Sequence, residues 1–333
     1  MSLIVAKFGG TSVADVERIE RAAEKIKREV EAGNQVVVVV SAMSGVTNQL
    51  VGYCDSISKL QDLREYDTVV SSGEQITAGL MALALQKRGV SARSWLGWQI
   101  PFRTNDMHGK ARITDIDATE IQKRLAENEV AVIPGFQGVT ARNRISTLGR
   151  GGSDTSAVAM AVALNADRCD IYTDVDGVYT TDPRIVPAAR KIKKISFEEM
   201  LELASLGAKV LQTRSVEIAM KKGVALQVLS SFEDHIGSDI PGTLIVKEDK
   251  NMEEELVSGI ACARNEAKVT LLGVKDEPGI ASKVFSPLSK AGINVDMIVQ
   301  NIAADGETTD MTFTVPRTDL ARSLEALEKD HAF

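Results

Sequence analysis

The hydrophobic pattern of the first 40 residues predicts a strand, a helix and a second strand. Residues 4–8 are an apolar run that ends at two glycines, and apolar residues then recur at helical spacing up to Gly33. Ser12 is the predicted N-cap of this helix, with Asp15 three residues on, and Gly33 is its predicted stop. The continuous β-branched run at 36–40 is typical of a strand buried on both faces, as in a parallel sheet.

The same alternation continues through residue 247. It predicts helix 75–88, strand 92–96, strand 130–133, helix 154–164, strand 169–172, helix 208–222 and strand 225–229. Alternating helices and strands are typical of α/β domains. We therefore predict that residues 1–247 form one doubly wound α/β domain around a mainly parallel sheet.

A charged segment, residues 248–255, is the predicted linker to a second region. Residues 256–333 predict strand 268–274, helix 279–291, strands 294–302 and 310–315, and helix 318–327. This β-α-β-β-α order is that of a ferredoxin-like module without its final strand, and we expect the module to be truncated. Because an open sheet edge invites pairing, we also expect copies of the chain to associate there.

Composition narrows the class of protein. A chain of 333 residues that is 44% hydrophobic and 26% charged can bury two cores, which excludes disordered and fibrous proteins. The net charge of −7 argues against nucleic-acid or anionic-membrane partners, although a small anion could still bind. No apolar run approaches the ~20 residues of a membrane span, and no leader is visible. Because Cys54, Cys169 and Cys262 are widely spaced, we predict reduced thiols and a cytoplasmic location.

Glycine and polar residues concentrate where predicted strands end, which is where open parallel sheets bind ligands. The turns concerned are residues 7–12, 41–47, 134–138, 148–154 and 173–179. Gly9 and Gly10 open a helix, so that their N–H groups could bind phosphate, with Lys7 close to the transferred group. The pair alone could equally be a tight turn. A second glycine turn at 149–152 favours a ligand with several phosphates, or with phosphate and carboxylate.

Other residues in these turns suit an amino acid and a nucleotide. Arg150 could bind a carboxylate and Glu74 an ammonium group; each alone could be a solvated charge, but an α-amino acid needs both. The segment 172–184 could be a solvated turn, or could bind Mg²⁺, nucleotide hydroxyls and, through Arg184, phosphates. The sequence has no Walker A or complete G-x-G-x-x-G motif, which argues against P-loop and Rossmann folds. His108, His235 and His331 lack metal-ligand spacing, so we assign no metal or general-base role to them.

Taken together, these segments resemble the aspartate kinases of the amino-acid kinase family. The resemblance rests on residues 7–13, 41–47, 72–75, 149–156, 173–184 and 207–211, and it covers almost the whole chain. The stretches KFGGTSV and RGGSD are specific in combination, and Gln212 stands where we expect a histidine. The C-terminal region resembles the ACT modules of aspartate kinases that lysine or threonine regulates.

The resemblance implies roles for individual residues. Lys7 and Asp154 would be the catalytic pair, Ser41, Thr47, Glu74, Arg150 and Ser153 would bind aspartate, and Lys7, Gly9, Gly10, Thr173, Asp174, Tyr179, Arg184 and Lys209 would bind ATP, which is used with Mg²⁺. Lysine or threonine effectors would bind near Asp276, Gly279 and Asn294, and the ACT-like module would join the copies of a homo-oligomer. With one module and an open edge, we expect feedback inhibition by lysine or threonine to be weak or absent.

The implied reaction is the ATP-dependent phosphorylation of the β-carboxylate of L-aspartate to 4-phospho-L-aspartate, the first step of lysine, threonine and methionine biosynthesis. This carboxylate has an unperturbed pKa of about 3.9 and is ionised at neutral pH, so its phosphorylation requires no general base. Two alternatives remain open: a kinase for glutamate or acetylglutamate, and a catalytically inactive amino-acid sensor.

Overall fold

The structure, a computed structural model, describes residues 1–58, 61–149, 151–208, 210–239, 242–248, 259–262, 265–302 and 308–329. The chain divides into two compact units, Met1–Cys262 and Ala263–Phe333. Apart from residue 248, the predicted linker lies outside the described residues, so the proposed domain boundaries stay a prediction. No helix within the described ranges is long and apolar enough to cross a membrane.

The secondary structure of the described residues alternates between strands and helices. The strands are β1 (Leu3–Phe8), β2 (Gln35–Val40), β3 (Ala92–Ser94), β4 (Phe102–Thr104), β5 (Ile113–Ile116), β6 (Val130–Pro134), β7 (Gln137–Thr140), β8 (Ile145–Thr147), β9 (Arg168–Thr173), β10 (Lys194–Ser196), β11 (Ala225–Ser230), β12 (Thr243–Val246), β13 (Glu266–Lys275), β14 (Asp296–Ile302) and β15 (Thr308–Pro316). The α-helices are α1 (Val16–Glu31), α2 (Val46–Ile57), α3 (Leu63–Val70), α4 (Ser72–Lys87), α5 (Thr119–Ala126), α6 (Gly152–Leu164), α7 (Phe197–Ser205), α8 (Thr213–Lys222), α9 (Ile280–Lys290) and α10 (Leu320–Lys329).

The first unit is built on a sheet in which the described strands follow the order β10-β12-β11-β9-β1-β2-β6-β3. Neighbouring strands run parallel, except β11 and β12, which are antiparallel. Strand β1 lies between β2 and β9, so the first strand of the chain occupies the middle of the sheet. The predicted doubly wound, mainly parallel sheet is confirmed.

Both faces of this sheet are covered by helices, which explains the unbroken valine run of β2. Val37 and Val39 join the hydrophobic core that also contains residues of α5, α6, α7 and α8. Val36, Val38 and Val40 point to the opposite face and pack with residues of α1 and α4. Because successive side chains of a strand face opposite sides, only a strand buried on both faces requires apolar residues at every position.

A smaller sheet in the first unit was not predicted. Its described strands follow the order β5-β4-β7-β8, and each contains three or four residues. Strands this short show too few positions for a period of two to be recognised in the sequence. The sheet matters for the site because β8 leads directly into the second glycine turn.

Two predicted helix starts are wrong for identifiable reasons. A 3₁₀ turn, Gly10–Val13, precedes α1, and Asp15 is the N-cap, accepting a hydrogen bond from the backbone N–H of Arg18 at 2.8 Å. The hydroxyl of Ser12 instead donates to the carbonyl oxygen of Tyr172. Helix α8 begins at Thr213 rather than at residue 208, because Gln212, with φ −82° and ψ 131°, has the extended backbone of an N-cap.

The second unit has the predicted order β13-α9-β14-β15-α10. Its described strands form an antiparallel sheet in the order β13-β15-β14. Alternate residues of β15, including Met311, Phe313 and Val315, are buried in a separate core that α9 and α10 cover. This α+β module is the predicted one.

Candidate active site

The carboxyl ends of β1, β2 and β9 open onto a cleft of about 490 Å³. Parallel strands bring the turns that follow them to one edge of the sheet, so residues far apart in the sequence meet there. The predicted site residues that line this cleft are Lys7, Gly9, Gly10, Ser41, Thr47, Glu74, Ser153, Asp154 and Thr173.

Lys7 and Asp154 form an ion pair inside the cleft. Nζ of Lys7, near the end of β1, lies 2.5 Å from Oδ1 of Asp154, in the first turn of α6. The N-terminal end of a helix dipole stabilises a carboxylate at this position. An ammonium group carries three N–H donors, so the pair leaves Lys7 able to donate to a phosphate oxygen.

The first glycine turn, residues 9–10, brings backbone close to this ammonium. A Cβ atom on Gly9 would lie 3.3 Å from Nζ of Lys7, and one on Gly10 would lie 3.2 Å from the carbonyl oxygen of Ala42. A side chain at either position would therefore crowd the space in which an anion can approach Lys7. This requirement for space explains why both positions are occupied by glycine.

The second glycine turn, residues 149–152, depends on left-handed backbone. Gly149 and Gly151 have φ values of +77° and +71°, and Gly151 caps α6. A Cβ atom on Gly151 would lie 1.9 Å from Cγ of Gln212, so the turn also packs tightly against the segment before α8. Arg150, the predicted carboxylate ligand in this turn, lies outside the described residues, as does Lys209, which was predicted to bind ATP.

Glu74 is a buried carboxyl group in the first turn of α4, with 4% of its surface exposed. Burial raises the pKa of Glu74 from 4.5 to about 7, although hydrogen bonds from the backbone N–H groups of Glu74 and Ala42 act in the opposite direction. Its Oε2 atom has no hydrogen-bond partner among the described residues. An unpaired buried acceptor that faces a cleft is suited to an incoming N–H donor such as an ammonium group.

The three hydroxyl residues that were predicted to bind the amino acid line the same cleft. Ser41 follows β2 directly, Thr47 lies in the first turn of α2, and Ser153 lies in the first turn of α6. Ser153 packs so closely on Gly135 that a Cβ atom there would lie 2.8 Å from Cα of Ser153. The three side chains therefore come from three separate turns, each placed by a parallel strand or by the helix that follows one.

The predicted nucleotide residues are only partly brought together. Thr173 lines the cleft, and its hydroxyl donates to Asp174, whose side chain is exposed. Tyr179 donates to Oδ1 of Asp176 at 3.0 Å, and neither Tyr179 nor Arg184 is among the lining residues. The guanidinium of Arg184 lies 2.8 Å from Asp182 and is 88% exposed. Their roles in binding ATP stay predictions.

Some lining residues were not predicted to be functional. Asn48 lies beside Thr47 at the start of α2, and Phe136 lies in the turn at 134–138 that the sequence had already marked as unusual. Met43, Ser44 and Val210 also line the cleft. In the sequence, the signal for these residues was their position next to the glycine and hydroxyl residues.

In the second unit, the predicted effector residues flank α9. Gly279 is the N-cap of α9 with a φ of +92°, Asp276 accepts a hydrogen bond from Gln300 at 3.3 Å, and Asn294 lies just before β14. Their role in binding an effector stays a prediction.

Comparison with known proteins decides the family. The profile of the amino acid kinase family matches residues 2–230, and that of the ACT domain matches residues 268–332. An aspartokinase from Pseudomonas aeruginosa is 56% identical over 334 residues, which cover 100% of this chain and 80% of the relative. The chain belongs to the aspartate kinases of the amino acid kinase family. The resemblance inferred from the sequence is thus confirmed.

Solved structures of aspartate kinases share this fold. The aspartate kinase from Synechocystis is 44% identical with a TM-score of 0.68, and the match covers 98% of this chain and 54% of that chain. The E. coli aspartokinase III, solved in complex with lysine and aspartate, is 30% identical with a TM-score of 0.79, and the match covers 98% of this chain and 83% of that chain. The present chain thus spans about half the length of the first of these two structures.

Proposed function

We propose that this member of the aspartate kinases transfers the γ-phosphoryl group of ATP to the β-carboxylate of L-aspartate. The observation that carries the proposal is the meeting, in one cleft, of the buried Lys7–Asp154 pair with Glu74, whose Oε2 atom lacks a hydrogen-bond partner among the described residues. Lys7 suits a phosphoryl group and Glu74 suits an ammonium group. The relatives named aspartokinase support the same substrate.

Glu74 would hold the ammonium group of aspartate, and Arg150 its α-carboxylate. Ser41, Thr47 and Ser153 would donate hydrogen bonds to the carboxylates. A buried carboxyl group gains most from a charged donor, because no water competes for it. Glu74 therefore favours a free amino acid over an N-acetylated one. Glutamate carries the same groups on a chain that is one methylene longer. The site would therefore distinguish aspartate from glutamate by its depth.

In the transfer step, a β-carboxylate oxygen attacks the γ-phosphorus, the bond from that phosphorus to the β–γ bridging oxygen breaks, and ADP leaves with its electron pair. The carboxylate is already ionised, so no base takes a proton. Lys7 would neutralise charge on the moving phosphoryl group, and the N–H group of Gly10 would hold its oxygens, because that of Gly9 already donates to the carbonyl oxygen of Tyr172 at 3.2 Å. Asp154 would orient the ammonium of Lys7.

The nucleotide would lie against the end of β9, held by Thr173, Asp174, Tyr179, Arg184 and Lys209, with its phosphates over Gly9 and Gly10. Mg²⁺ bound to ATP neutralises phosphate charge and needs only one or two protein carboxylates, because phosphates and waters complete its coordination. Asp154, in the cleft, and Asp174, beside Thr173, fit that donor set.

We also propose that lysine or threonine binds near Asp276, Gly279 and Asn294, and that the ACT module joins copies of the chain. Support comes from the matched ACT profile and from E. coli aspartokinase III, solved with lysine. Calorimetric titration with each amino acid tests effector binding, and light scattering of the protein tests whether copies associate.

Cys54, Cys169 and Cys262 are free thiols, which fits the predicted cytoplasmic location.

A hydroxylamine trap tests the reaction, because hydroxylamine converts an acyl phosphate to a coloured hydroxamate complex with iron. Aspartate, glutamate and N-acetylglutamate are supplied in turn with ATP and Mg²⁺. We expect hydroxamate with aspartate and little with the others. Hydroxamate formed only with glutamate or N-acetylglutamate would identify that compound as the substrate instead of aspartate. If none of the three compounds supports ATP turnover, the result would favour an inactive sensor.

A further inference from the structure

Asp67, on α3, is a fully buried carboxylate that does not line the cleft. The hydroxyl of Thr147 donates to its Oδ1 at 2.6 Å, and the N–H of Gly109 lies 3.1 Å from each of its oxygens. Nδ1 of His108 lies 2.8 Å from Oδ2. Because an ionised carboxylate can only accept, we assign the proton of this last bond to His108. Neither Asp67 nor His108 was assigned a role from the sequence.

These hydrogen bonds connect two parts of the chain that both contribute residues to the cleft. Helix α3 is followed directly by α4, whose first turn carries Glu74. Thr147 is the last residue of β8, and the second glycine turn begins two residues later. One side chain therefore ties the helices that place Glu74 to the strand that places the second glycine turn.

The segment 109–111 lies between Asp67 and that turn. The N–H of Ala111 donates to the carbonyl oxygen of Thr147 at 2.8 Å, and a Cβ atom on Gly149 would lie 3.2 Å from the carbonyl oxygen of Gly109. Arg214, on α8, donates to the carbonyl oxygens of Ala111 and Leu148 at 3.2 and 3.3 Å. The strand end and the segment 109–111 are thus bonded to each other as well as to Asp67.

We propose that Asp67 is a positioning residue that sets the separation between Glu74 and the second glycine turn, and through it the fit of the amino-acid substrate. This inference rests on the proposed function, in which the amino acid binds between those two features. A change at Asp67 should therefore weaken the binding of aspartate more than that of ATP, which relies on the first glycine turn and the end of β9.

Thr147 offers the sharpest test because one substitution removes the hydroxyl and another keeps it. Thr147→Val has nearly the same shape but cannot donate to Asp67, whereas Thr147→Ser can. We expect Thr147→Val to raise KM for aspartate about tenfold, the effect of losing one hydrogen bond to a charged group, with KM for ATP changed less than about twofold. Thr147→Ser should restore KM for aspartate. Equal values in the two variants, or equal rises for both substrates, would overturn the inference.

A matched carboxylate controls for the loss of a buried charge. Asp170 is also fully buried and pairs with Arg168 at 2.6 Å, toward the end of β9 that faces away from the cleft. Asp67→Asn should raise KM for aspartate. Asp170→Asn should lower the melting temperature but leave KM for aspartate unchanged. A rise in KM in both variants would mean that Asp67 acts only through general stability.

Hydrogen exchange tests the connection without any substrate. In Thr147→Val, amides in peptides covering 71–76 and 145–153 should exchange faster than in Thr147→Ser, while a peptide covering 225–230 should be unchanged. Unaltered exchange in the first two peptides would overturn the positioning role. Faster exchange, together with a wild-type protein that does not phosphorylate aspartate, would keep the positioning role and overturn the proposed substrate instead.

Discussion

Nζ of Lys7 lies 2.5 Å from Oδ1 of Asp154, and the two side chains are only 10% and 11% exposed. Lys7 belongs to the central strand of the sheet and Asp154 to the buried N-terminal turn of α6, so both are held by rigid elements. The ammonium group is therefore in place before a phosphoryl group arrives. Charges positioned in advance stabilise a transition state without reorganising during the reaction.

Lys7→Ala should lower kcat by about 10²–10³-fold while changing ATP affinity by no more than roughly tenfold, because the lysine acts mainly on charge that develops during transfer. Steady-state kinetics and equilibrium ATP binding measure the two effects. Lys25→Met is the control: Lys25 is also buried, on α1, and donates to the carbonyl oxygen of His235. Its loss should reduce stability and leave kcat near the wild-type value. A Lys7→Ala enzyme with normal kcat would refute the assignment.

The pKa of about 7 at Glu74 predicts that aspartate binding depends on pH. Below this pKa the carboxyl group is protonated and neutral, so it attracts the ammonium group of aspartate less strongly. KM for aspartate should therefore fall as the pH rises from about 6 to about 8, a range in which aspartate itself does not titrate. Glu74→Gln should raise KM and remove this dependence. A KM profile that is the same in both proteins would exclude Glu74 as the ammonium ligand.

The same burial predicts a gain in stability for the Glu74→Gln variant. Burial raises the pKa of Glu74 above its ordinary value of 4.5, so its contribution to folding is most favourable below pH 4.5 and is lost as the pH rises through about 7. Glutamine is neutral at every pH. Without ligands, the variant should be more stable than wild type at pH 8 by up to about 3 kcal/mol, and the difference should shrink toward pH 5. Urea unfolding at the two pH values provides the measurement.

Gly151→Ala should disrupt the second glycine turn, because a Cβ atom there would overlap the side chain of Gln212. Gly223→Ala is a close control, since Gly223 has a φ of +73° and no atom within 4 Å of its Cβ position. Both changes carry the strain of left-handed backbone, about 1–2 kcal/mol, but only the first adds a clash. We expect kcat/KM for aspartate to fall at least about tenfold in Gly151→Ala and to stay near wild type in Gly223→Ala. Similar kinetics in the two variants would contradict this view of the turn.

Two residues near the start of α1 are expected to have different roles: Asp15 stabilises the helix, whereas Ser12 lies beside the site. Asp15→Ala removes the N-cap and should lower the free energy of unfolding by about 1 kcal/mol without changing either KM. Ser12→Ala removes the bond to the carbonyl of Tyr172, next to the first glycine turn, and should raise KM for ATP a few-fold. Thermal unfolding and steady-state kinetics of both variants are compared. The reverse pattern would restore Ser12 as the cap.

The sequence was most informative where one segment carries its own signal. The valine run of β2 predicts a doubly covered strand because each residue must be apolar, and the glycines after β1 predict a turn because only they leave room beside Lys7. The α8 start was misplaced because the apolar residues Ala208, Val210 and Leu211 extend the helical pattern in the sequence, whereas Gln212 is the extended N-cap of the helix.

Relationships between distant segments could not be read in this way. Asp67 and Thr147 are 80 residues apart, and His108 lies in a turn with no recognisable pattern. Their bonds depend on how the smaller sheet packs against α3, and that sheet consists of strands too short to predict. The raised pKa of Glu74 likewise follows from burial, which the sequence around it does not specify.

The central place of β1 has a consequence for how the protein folds during synthesis. Strand β1 can pair early with β2, but its other neighbour, β9, starts at residue 168, and the one partner of β10 among the described strands is β12, which starts at Thr243. Until those residues leave the ribosome, the nascent chain exposes an unpaired edge of apolar strand. Such edges are sites of aggregation, and pairings between distant strands form slowly. The strand order that brings the site residues to one edge of the sheet therefore also delays completion of the sheet until most of the first unit has been synthesised.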